Sequence, residues 1–221
     1  TWPSASVQPA SIRVQIAAYR YIKYAASSCN AQIVLVDLGP NLGALNRTIL
    51  GGCDYFITPL SPDLFSIKGT QNLGNKFVIW HDEWENNLRK WMRPNSGIPN
   101  DDLPKGLPKF LGYVTQQHNI RNSKSGMTRG WNIFGSQLEN AVKENIITPL
   151  LPLDQCENRT DYLLGQIPNL HSLVPYSLEA HKPVYKCGSA DGLRGEHISK
   201  AKNTKELYRG IVTTIKELRE E

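Results

Sequence analysis

Two short apolar stretches that lie close together in the chain place the strongest constraint on its fold. Residues 33–37 form a continuous run that is closed by Asp37, and residues 55–58 form a second run that stops at Pro59. Neither run shows the polar alternation of a half-exposed strand, and such runs are typical of strands buried on both faces of a parallel sheet. The sequence therefore predicts two strands of a parallel sheet.

The segment between the two runs has the residues of a loop followed by a helix. Gly39 and Pro40 interrupt regular structure directly after the first run. Residues 42–50 then predict a short helix, and Gly51 with Gly52 is the expected C-terminal stop. Strand, loop, helix and strand in this order predict a β-α-β unit with a right-handed crossover.

Further elements of both kinds follow in the remaining chain, and with 221 residues, 40% of them hydrophobic, the chain suits one domain over residues 1–221. Strands that alternate with helices predict an α/β fold with a doubly wound, mostly parallel sheet. The other predicted elements are helices at 11–26, from about 65, at 131–145 and at 199–218, a strand at 110–115, a loop at 94–108 and an irregular stretch at 146–168.

The long helix predicted from about residue 65 carries aromatic side chains along one face. Phe77, Trp80, Trp84 and Trp91 recur at helical spacing. This pattern favours a helix packed against a hydrophobic core, and a ligand-binding platform is the alternative.

The cysteines and histidines do not show the spacing of a metal site. Cys29, Cys53, Cys156 and Cys187 are scattered without a C-x-x-C pair. We interpret them as reduced, buried residues of a cytoplasmic protein, with a disulfide set or a zinc site as the alternatives. The chain opens without a charged-then-apolar leader and its apolar runs are short, so we expect neither secretion nor a membrane span.

Positive charge is concentrated in two regions of a chain with a net charge of +5. No Asp or Glu occurs between Leu103 and Leu138, a stretch that holds five Lys and Arg residues. A second basic group runs from Lys182 to Arg209. Such surfaces attract polyanions, and nucleic acid is the usual one, whereas an ordinary solvated face is the equal alternative.

Four segments of the chain share the features of one protein family. Residues 34–47 join an acid-ended run to a loop that contains proline, and residues 54–69 join a strand that ends in proline to a helix start of the form Ser66-Ile67-Lys68-Gly69. Residues 112–117 and 173–184 follow in the same order. In sequence these segments resemble the ParA/MinD/Soj family of partition and positioning ATPases, and the resemblance extends from about residue 32 to the C-terminus.

The resemblance implies a P-loop NTPase-like α/β fold that binds ATP and Mg²⁺. Asp37 would orient Mg²⁺ through a water molecule and serve in catalysis; an Asp that only shapes the turn is the alternative. Gly39 and Pro40 would lie in the switch loop that senses the γ-phosphate. Gln116 and Pro175 would border the adenine.

The resemblance also implies partners. The family forms ATP-dependent homodimers that act in chromosome or plasmid partition or in cargo positioning, together with a ParB-like or other activating partner. Many members bind DNA non-specifically through basic residues, and Lys200, Lys202 and Arg209 are the candidates here.

One departure from the family pattern is large. A P-loop requires Gly-x-x-x-x-Gly-Lys-[Ser/Thr], and no Gly-Lys pair occurs in this sequence. The simplest interpretation is an N-terminally incomplete domain that lacks the first strand, the P-loop and the first helix, and that does not hydrolyse ATP by itself. A relative that has lost its P-loop and serves as a dimerisation or DNA-binding adaptor is the alternative. An iron-protein-like ATPase is disfavoured because the interface cysteine pair is absent.

Overall fold

The computed structural model describes residues 13–14, 16–39, 43–91, 103–118 and 129–220. Side chains within 87–91, 117–118, 129–133 and at 220 lie outside this description. The helices are α1 (Ala17–Ser28), α2 (Ala44–Gly52), α3 (Leu64–Trp91), α4 (Arg129–Val142), α5 (Leu173–Glu179) and α6 (Glu196–Glu220), and the strands are β1 (Tyr55–Leu60), β2 (Lys109–His118) and β3 (Leu163–Pro168).

The three strands form one sheet in the order β1-β2-β3. β2 and β3 pair in parallel, with Thr115 opposite Gln166. The first residue of β2, Lys109, donates its backbone N–H to the carbonyl of Asp54, 2.9 Å away and directly before β1, so β1 and β2 begin at the same edge. The chain therefore has a mixed α/β fold, and the strands predicted at residues 55–58 and 110–115 are confirmed.

A glycine allows the close approach of β2 and β3. Gly112 has a φ of 143°, and a Cβ at this position would lie 2.3 Å from the carbonyl oxygen of Tyr162. Immediately beyond it, the backbone N–H of Tyr113 bonds to that same oxygen at 2.9 Å. The pairing then shifts register between Tyr113 and Val114. A side chain at position 112 is therefore incompatible with this pairing.

The chain divides into two compact units, each assembled from three separate stretches. Unit one comprises the described residues within Thr1–Phe56, Asn72–Phe110 and Asn145–Glu157. Unit two comprises those within Ile57–Gln71, Leu111–Glu144 and Asn158–Glu221.

Aromatic side chains form the centre of unit one. The Phe56 ring lies 4.8 Å from that of Phe77 and 5.0 Å from that of Phe110, and Phe77 contacts Trp80 edge-on at 5.8 Å. Trp84 is also buried. The interpretation of the tryptophan stripe as core is thus confirmed for Trp80 and Trp84, whereas Trp91 lies outside the described side chains.

Two apolar clusters stabilise unit two. Val114 and Leu164, on neighbouring strands, pack with Ile211 of α6. A second cluster joins α5, α6 and the turns between them, and consists of Leu173, Val184, Cys187, Leu193 and Ala201.

The predicted strand at residues 33–37 is wrong. Residues 31–39 have no regular secondary structure, and Ile33, Val34 and Leu35 are exposed by 54%, 47% and 92%. A strand is stable only when its backbone N–H and C=O groups are paired with a neighbour. The described sheet contains only β1, β2 and β3, so this apolar run has no strand partner there.

The stretch from 146 to 168, which was predicted to be irregular, contains β3. Before the strand, the chain passes through a π-helical turn (Lys143–Ile147), one turn of α-helix (Thr148–Leu150) and a 3-10 turn (Leu151–Leu153). The sequence does not predict this strand because Gly165 and Pro168, which lie in it, are both typical of loops. The C-terminal helix is confirmed, with bounds wider than predicted.

The four cysteines are free thiols, as predicted. Cys156 and Cys187 are buried, but Cys29 is exposed, so the expectation of burial is wrong at that position. Among the described residues, no helix has the length and hydropathy needed to cross a bilayer.

Candidate functional site

The carboxyl ends of the parallel strands lie at one edge of the sheet, and their last residues belong to unit two. Gln116 of β2 stands opposite Ile167 of β3, and His118 stands opposite Pro168. In open parallel sheets ligands bind beyond this edge, where loops replace the hydrogen-bonded strands. The described part of the edge consists of the β1–α3 turn, the end of β2 and the β3–α5 loop.

The β1–α3 turn is fixed by reciprocal side-chain hydrogen bonds. The Ser66 backbone N–H donates to Asp63 Oδ1 at 2.8 Å, and the Ser61 backbone N–H donates to Ser66 Oγ at 2.9 Å. Asp63 is therefore the N-cap of α3 and satisfies one of its unpaired donors. Beyond the cap, Leu64 and Phe65 are exposed by 62% and 89%. The turn thus presents a rigid backbone and an apolar rim.

The end of β2 carries two polar side chains on opposite faces of the strand. Gln116 is half-buried. Thr115 is buried, and its hydroxyl oxygen has no hydrogen-bond partner among the described residues. A buried hydroxyl left without a partner costs about 1–3 kcal/mol, so it needs an explanation, and a bound ligand or water is one. The sequence did not indicate Thr115 as a candidate site residue, because single threonines are common in strands.

The loop from β3 to α5 is held by a local turn. The backbone N–H of His171 donates to Asn169 Oδ1 at 2.9 Å, and His171 has a φ of 43°, a left-handed conformation that is uncommon outside glycine. Leu173, the first residue of α5, then packs into an apolar cluster. Pro175 lies exposed in that helix. Gln116 and Pro175 therefore belong to the same unit and to elements at the same edge of the sheet.

The other residues that were predicted to bind nucleotide are not among the described residues of unit two. Asp37 and Gly39 are exposed residues of the 31–39 segment, which belongs to unit one. The Gly39 carbonyl accepts a hydrogen bond from Asn46 Nδ2 at 3.0 Å. Pro40 lies outside the described residues.

The residues present do not fit the predicted Mg²⁺ site. In the described part of the chain, no three His, Cys, Asp or Glu side chains are grouped as metal ligands would be. Asp37 stands on an exposed stretch instead of at the end of a buried strand. The sequence also lacks the Gly-Lys pair whose backbone and ammonium group would meet the phosphates.

The predicted DNA-binding cations lie on α6, and two of the three are paired with carboxylates of the same helix. Lys200 Nζ is 3.5 Å from Glu196 Oε2, and Arg209 Nη1 is 2.8 Å from Glu206 Oε1. Lys202 is exposed. These i,i+4 and i,i+3 pairs weaken the positive potential of the helix but leave the cations accessible to stronger anions.

The second basic group is also partly neutralised. Lys182 Nζ lies 2.6 Å from Asp191 Oδ1, and the backbone N–H of Gly188 donates to Asp191 Oδ2 at 3.0 Å. This hydrogen bond raises the pKa of Lys182, and together with the Gly188 N–H it lowers the pKa of Asp191. Lys182 is thus part of the turn that precedes α6, an arrangement that its position in a basic stretch did not indicate.

Comparison with known proteins supports the fold alone. No protein-family model matches the sequence, and no curated protein does. A solved structure, protein DIP2308 from Corynebacterium diphtheriae, is similar with a TM-score of 0.51 and 22% identity, over 78% of this chain and 59% of that protein. The chain thus spans less than two thirds of the length of this structural neighbour.

Proposed function

We propose that this chain belongs to a ParA/MinD/Soj-type ATPase, whose ATP-driven dimerisation serves DNA partition or cargo positioning, and that the carboxyl edge of β2 and β3 receives the adenine base. The observation that carries the proposal is the position of the matching segments. Residues 54–69 contain β1 and the capped start of α3, residues 112–117 lie in β2, and residues 173–184 begin with α5. Three of the four segments therefore lie in strands of the sheet or in the helices that follow them, and ligands of parallel sheets bind beyond the carboxyl ends of such strands.

The chemistry of this edge suits a purine base. The Gln116 amide offers both a donor and an acceptor, which match the N6 and N7 groups of adenine. The half-buried position of Gln116 shields these hydrogen bonds from water. Pro175 supplies an exposed apolar surface that suits the face of the base.

Phosphate binding is the part of the proposal that these residues do not supply. Hydrolysis requires backbone N–H groups and a lysine around the phosphates. We therefore propose that the chain by itself binds the adenosine part of ATP and does not turn ATP over. In a protein with a complete P-loop, Asp37→Ala is expected to abolish turnover if residues 33–37 join the sheet there, and unchanged turnover would remove Asp37 from the mechanism.

The proposed cellular role is a cytoplasmic one, with a ParB-like activator and a DNA surface. For the DNA surface, replacing Lys200, Lys202 and Arg209 with Gln is expected to weaken duplex binding and to reduce its salt dependence. Because two of these cations are paired with carboxylates, the loss is expected to be smaller than that for three free cations. An unchanged salt slope would place the DNA surface elsewhere.

A second candidate function is a ParA-like dimerisation or DNA-binding adaptor without catalysis. Two observations favour this adaptor: Asp37 is exposed in a segment that pairs with no described strand, and the sequence has no Gly-Lys pair. The adaptor does not require adenosine at the sheet edge, so nucleotide binding separates the two candidates.

The decisive experiment is a titration of the chain with adenosine, ADP and ATP, followed through the amide NMR signals. The proposal predicts that all three bind, because they share the base. Gln116→Ala is expected to weaken binding about tenfold, the size of one lost polar contact to a ligand. Gln166→Ala is the matched control, since Gln166 is an exposed glutamine on the neighbouring strand. No binding of any of the three, or equal losses in both variants, would reject the base site and leave the adaptor.

A further inference from the structure

The segment from residue 33 to residue 37 exposes a run of aliphatic side chains together with its backbone. Ile33, Val34 and Leu35 are exposed by 54%, 47% and 92%. Residues 33–39 contain no helix, turn or bend, and no backbone hydrogen bond joins residues 33–37 to another described residue. A backbone with unpaired N–H and C=O groups is a template on which another strand can pair. This segment therefore offers what β-sheet pairing requires.

Both ends of the segment are fixed to helices of unit one. Before it, Asn30 has a φ of 50°, and the backbone N–H of Ala31 donates to the carbonyl of Ala26 at 2.8 Å, which closes helix α1. After it, the Gly39 carbonyl accepts a hydrogen bond from Asn46 Nδ2 of α2 at 3.0 Å. Because these anchors restrict the segment, pairing with another strand loses less conformational entropy here than in a free chain end.

The segment lacks the features that protect edge strands from further pairing. Residues 31–36 contain no charged residue and no proline. The two edge strands of the described sheet, by contrast, both contain proline, Pro59 in β1 and Pro168 in β3. Proline hinders the addition of a strand because it has no N–H to donate. The sheet edges are therefore poor partners for the segment, and the same segment in a second copy of the chain is a better one.

Antiparallel pairing of two identical segments has a preferred register. Directly opposite side chains lie on the same face, so a two-fold axis through the pair allows only opposite residues whose numbers are equal or differ by an even number. With Val34 on the axis, Ile33 faces Leu35 of the second copy, and Asp37 faces Ala31. With Leu35 on the axis, Ile33 faces Asp37 instead. The first register is favoured because it pairs aliphatic side chains with each other and leaves the carboxylates at the two ends.

We propose that residues 31–37 pair with the same residues of a second copy, in an antiparallel ribbon centred on Val34, and that this pairing makes the chain a dimer. The pairing needs no nucleotide, so it is independent of the base site at the sheet edge. A two-stranded ribbon is only marginally stable by itself. The dilute chain therefore stays monomeric with this segment unpaired, and the dimer forms as the protein concentration rises.

The first test is sedimentation velocity of the full chain over a series of concentrations, without nucleotide. The mass is expected to rise from that of one chain towards that of two. Leu35→Lys replaces a side chain that faces Ile33 and adds charge to the ribbon, so it is expected to weaken dimerisation at least about tenfold. Leu45→Lys is the matched control, since Leu45 is a 62% exposed leucine of helix α2, and it is expected to leave dimerisation unchanged.

The second test examines the register by cross-linking. It uses a Cys29→Ser background because Cys29 is an exposed thiol. Val34→Cys is expected to form disulfide-linked dimers with oxidised glutathione, since directly opposite Cβ atoms are about 4.5–5.5 Å apart. Leu35→Cys is the matched variant. Its two copies would lie diagonally, about 7–8 Å apart, so it is expected to cross-link at least about tenfold more slowly.

The outcomes separate this proposal from the alternatives. The mass of one chain at every concentration would overturn it, and so would equal weakening by Leu35→Lys and Leu45→Lys. Cross-linking of Leu35→Cys as fast as that of Val34→Cys would exclude the ribbon. Dimerisation that requires ADP or ATP would assign the dimer to nucleotide binding instead. Adenosine binding is expected to be unchanged in Leu35→Lys, so failure of the base site and failure of the dimer are observed separately.

Discussion

Residues 33–37 and strand β3 are both short segments with several aliphatic side chains, yet only β3 belongs to the described sheet. β3 is paired in parallel with β2, and α6 packs against it through Ile211. Residues 33–37 have no strand partner in the described sheet, and Leu35 is 92% exposed. The contrast shows that apolar composition alone does not make a strand. A strand is stabilised by hydrogen bonds to an adjacent strand and by a helix that packs on it, and both of these are remote in sequence.

The largest expected effect comes from breaking the β2–β3 pairing at Gly112. Gly112→Val places a side chain against the Tyr162 carbonyl and in a strained backbone conformation, so we expect a loss of about 3–5 kcal/mol in the free energy of unfolding. Urea denaturation measures it. Gly69→Ala is the control glycine, since Gly69 lies within α3 with open space around it, and it is expected to stabilise by up to about 1 kcal/mol.

The buried Tyr113 gives β2 a pH dependence that an exposed segment lacks. Burial, and then the carboxylates of Glu139 and Asp161, raise the pKa of Tyr113 from 10.0 to about 12. The unfolded chain therefore releases this proton first, and stability present below pH 10 is lost as the pH rises towards 12. Unfolding free energies of the native chain and of Tyr113→Phe should diverge over this window. Parallel curves would show that the tyrosine is solvated.

A smaller effect separates stability from ligand binding at the end of β2. Thr115→Val keeps the side-chain shape and removes a buried hydroxyl that lacks a partner, so we expect stability to stay equal or to rise by about 1 kcal/mol. If that hydroxyl contributes to the proposed base site, adenosine binding weakens in the same variant. A clear loss of stability instead would show that the hydroxyl is hydrogen-bonded in solution.

The smallest effect is expected in the unpaired segment. Leu35→Ser is expected to change the free energy of unfolding by less than about 0.5 kcal/mol because the side chain is already in solvent. Leu164→Ala, in the buried cluster beside β3, is the matched comparison and should cost about 2–5 kcal/mol. Equal losses in the two variants would mean that residues 33–37 are buried in solution.

The sequence predicts those parts of the fold that depend on local patterns. The aromatic stripe around Trp80, strands β1 and β2 and the C-terminal helix are set by apolar spacing, so they could be recognised. β3 could not, because Gly165 and Pro168 resemble loop residues until β2 is known to lie beside them. The opposite error occurred at residues 33–37, where composition alone indicated a strand.

The candidate site divides in the same way. Gln116 lies near the end of β2, a strand that the sequence predicts, so its place at the carboxyl edge could be anticipated. Pro175 follows β3, which the sequence does not predict, so its place at this edge was implied by the family resemblance alone. Thr115 and the left-handed His171 could not be anticipated, since a lone buried hydroxyl and a backbone angle leave no mark on composition. Nor could the pairing of Lys200 with Glu196 and of Arg209 with Glu206, which reduces the field of α6, be judged from counts of charge.

The most direct test of the central claim, that the carboxyl edge of β2 and β3 binds the adenine base, is amide hydrogen exchange of the chain with and without saturating ADP. The account predicts increased protection at Gln116 and in the loop from Asn169 to Leu173, with residues 31–39 exchanging rapidly in both states. Protection confined to residues 31–39, or none at the edge of the sheet, would contradict it.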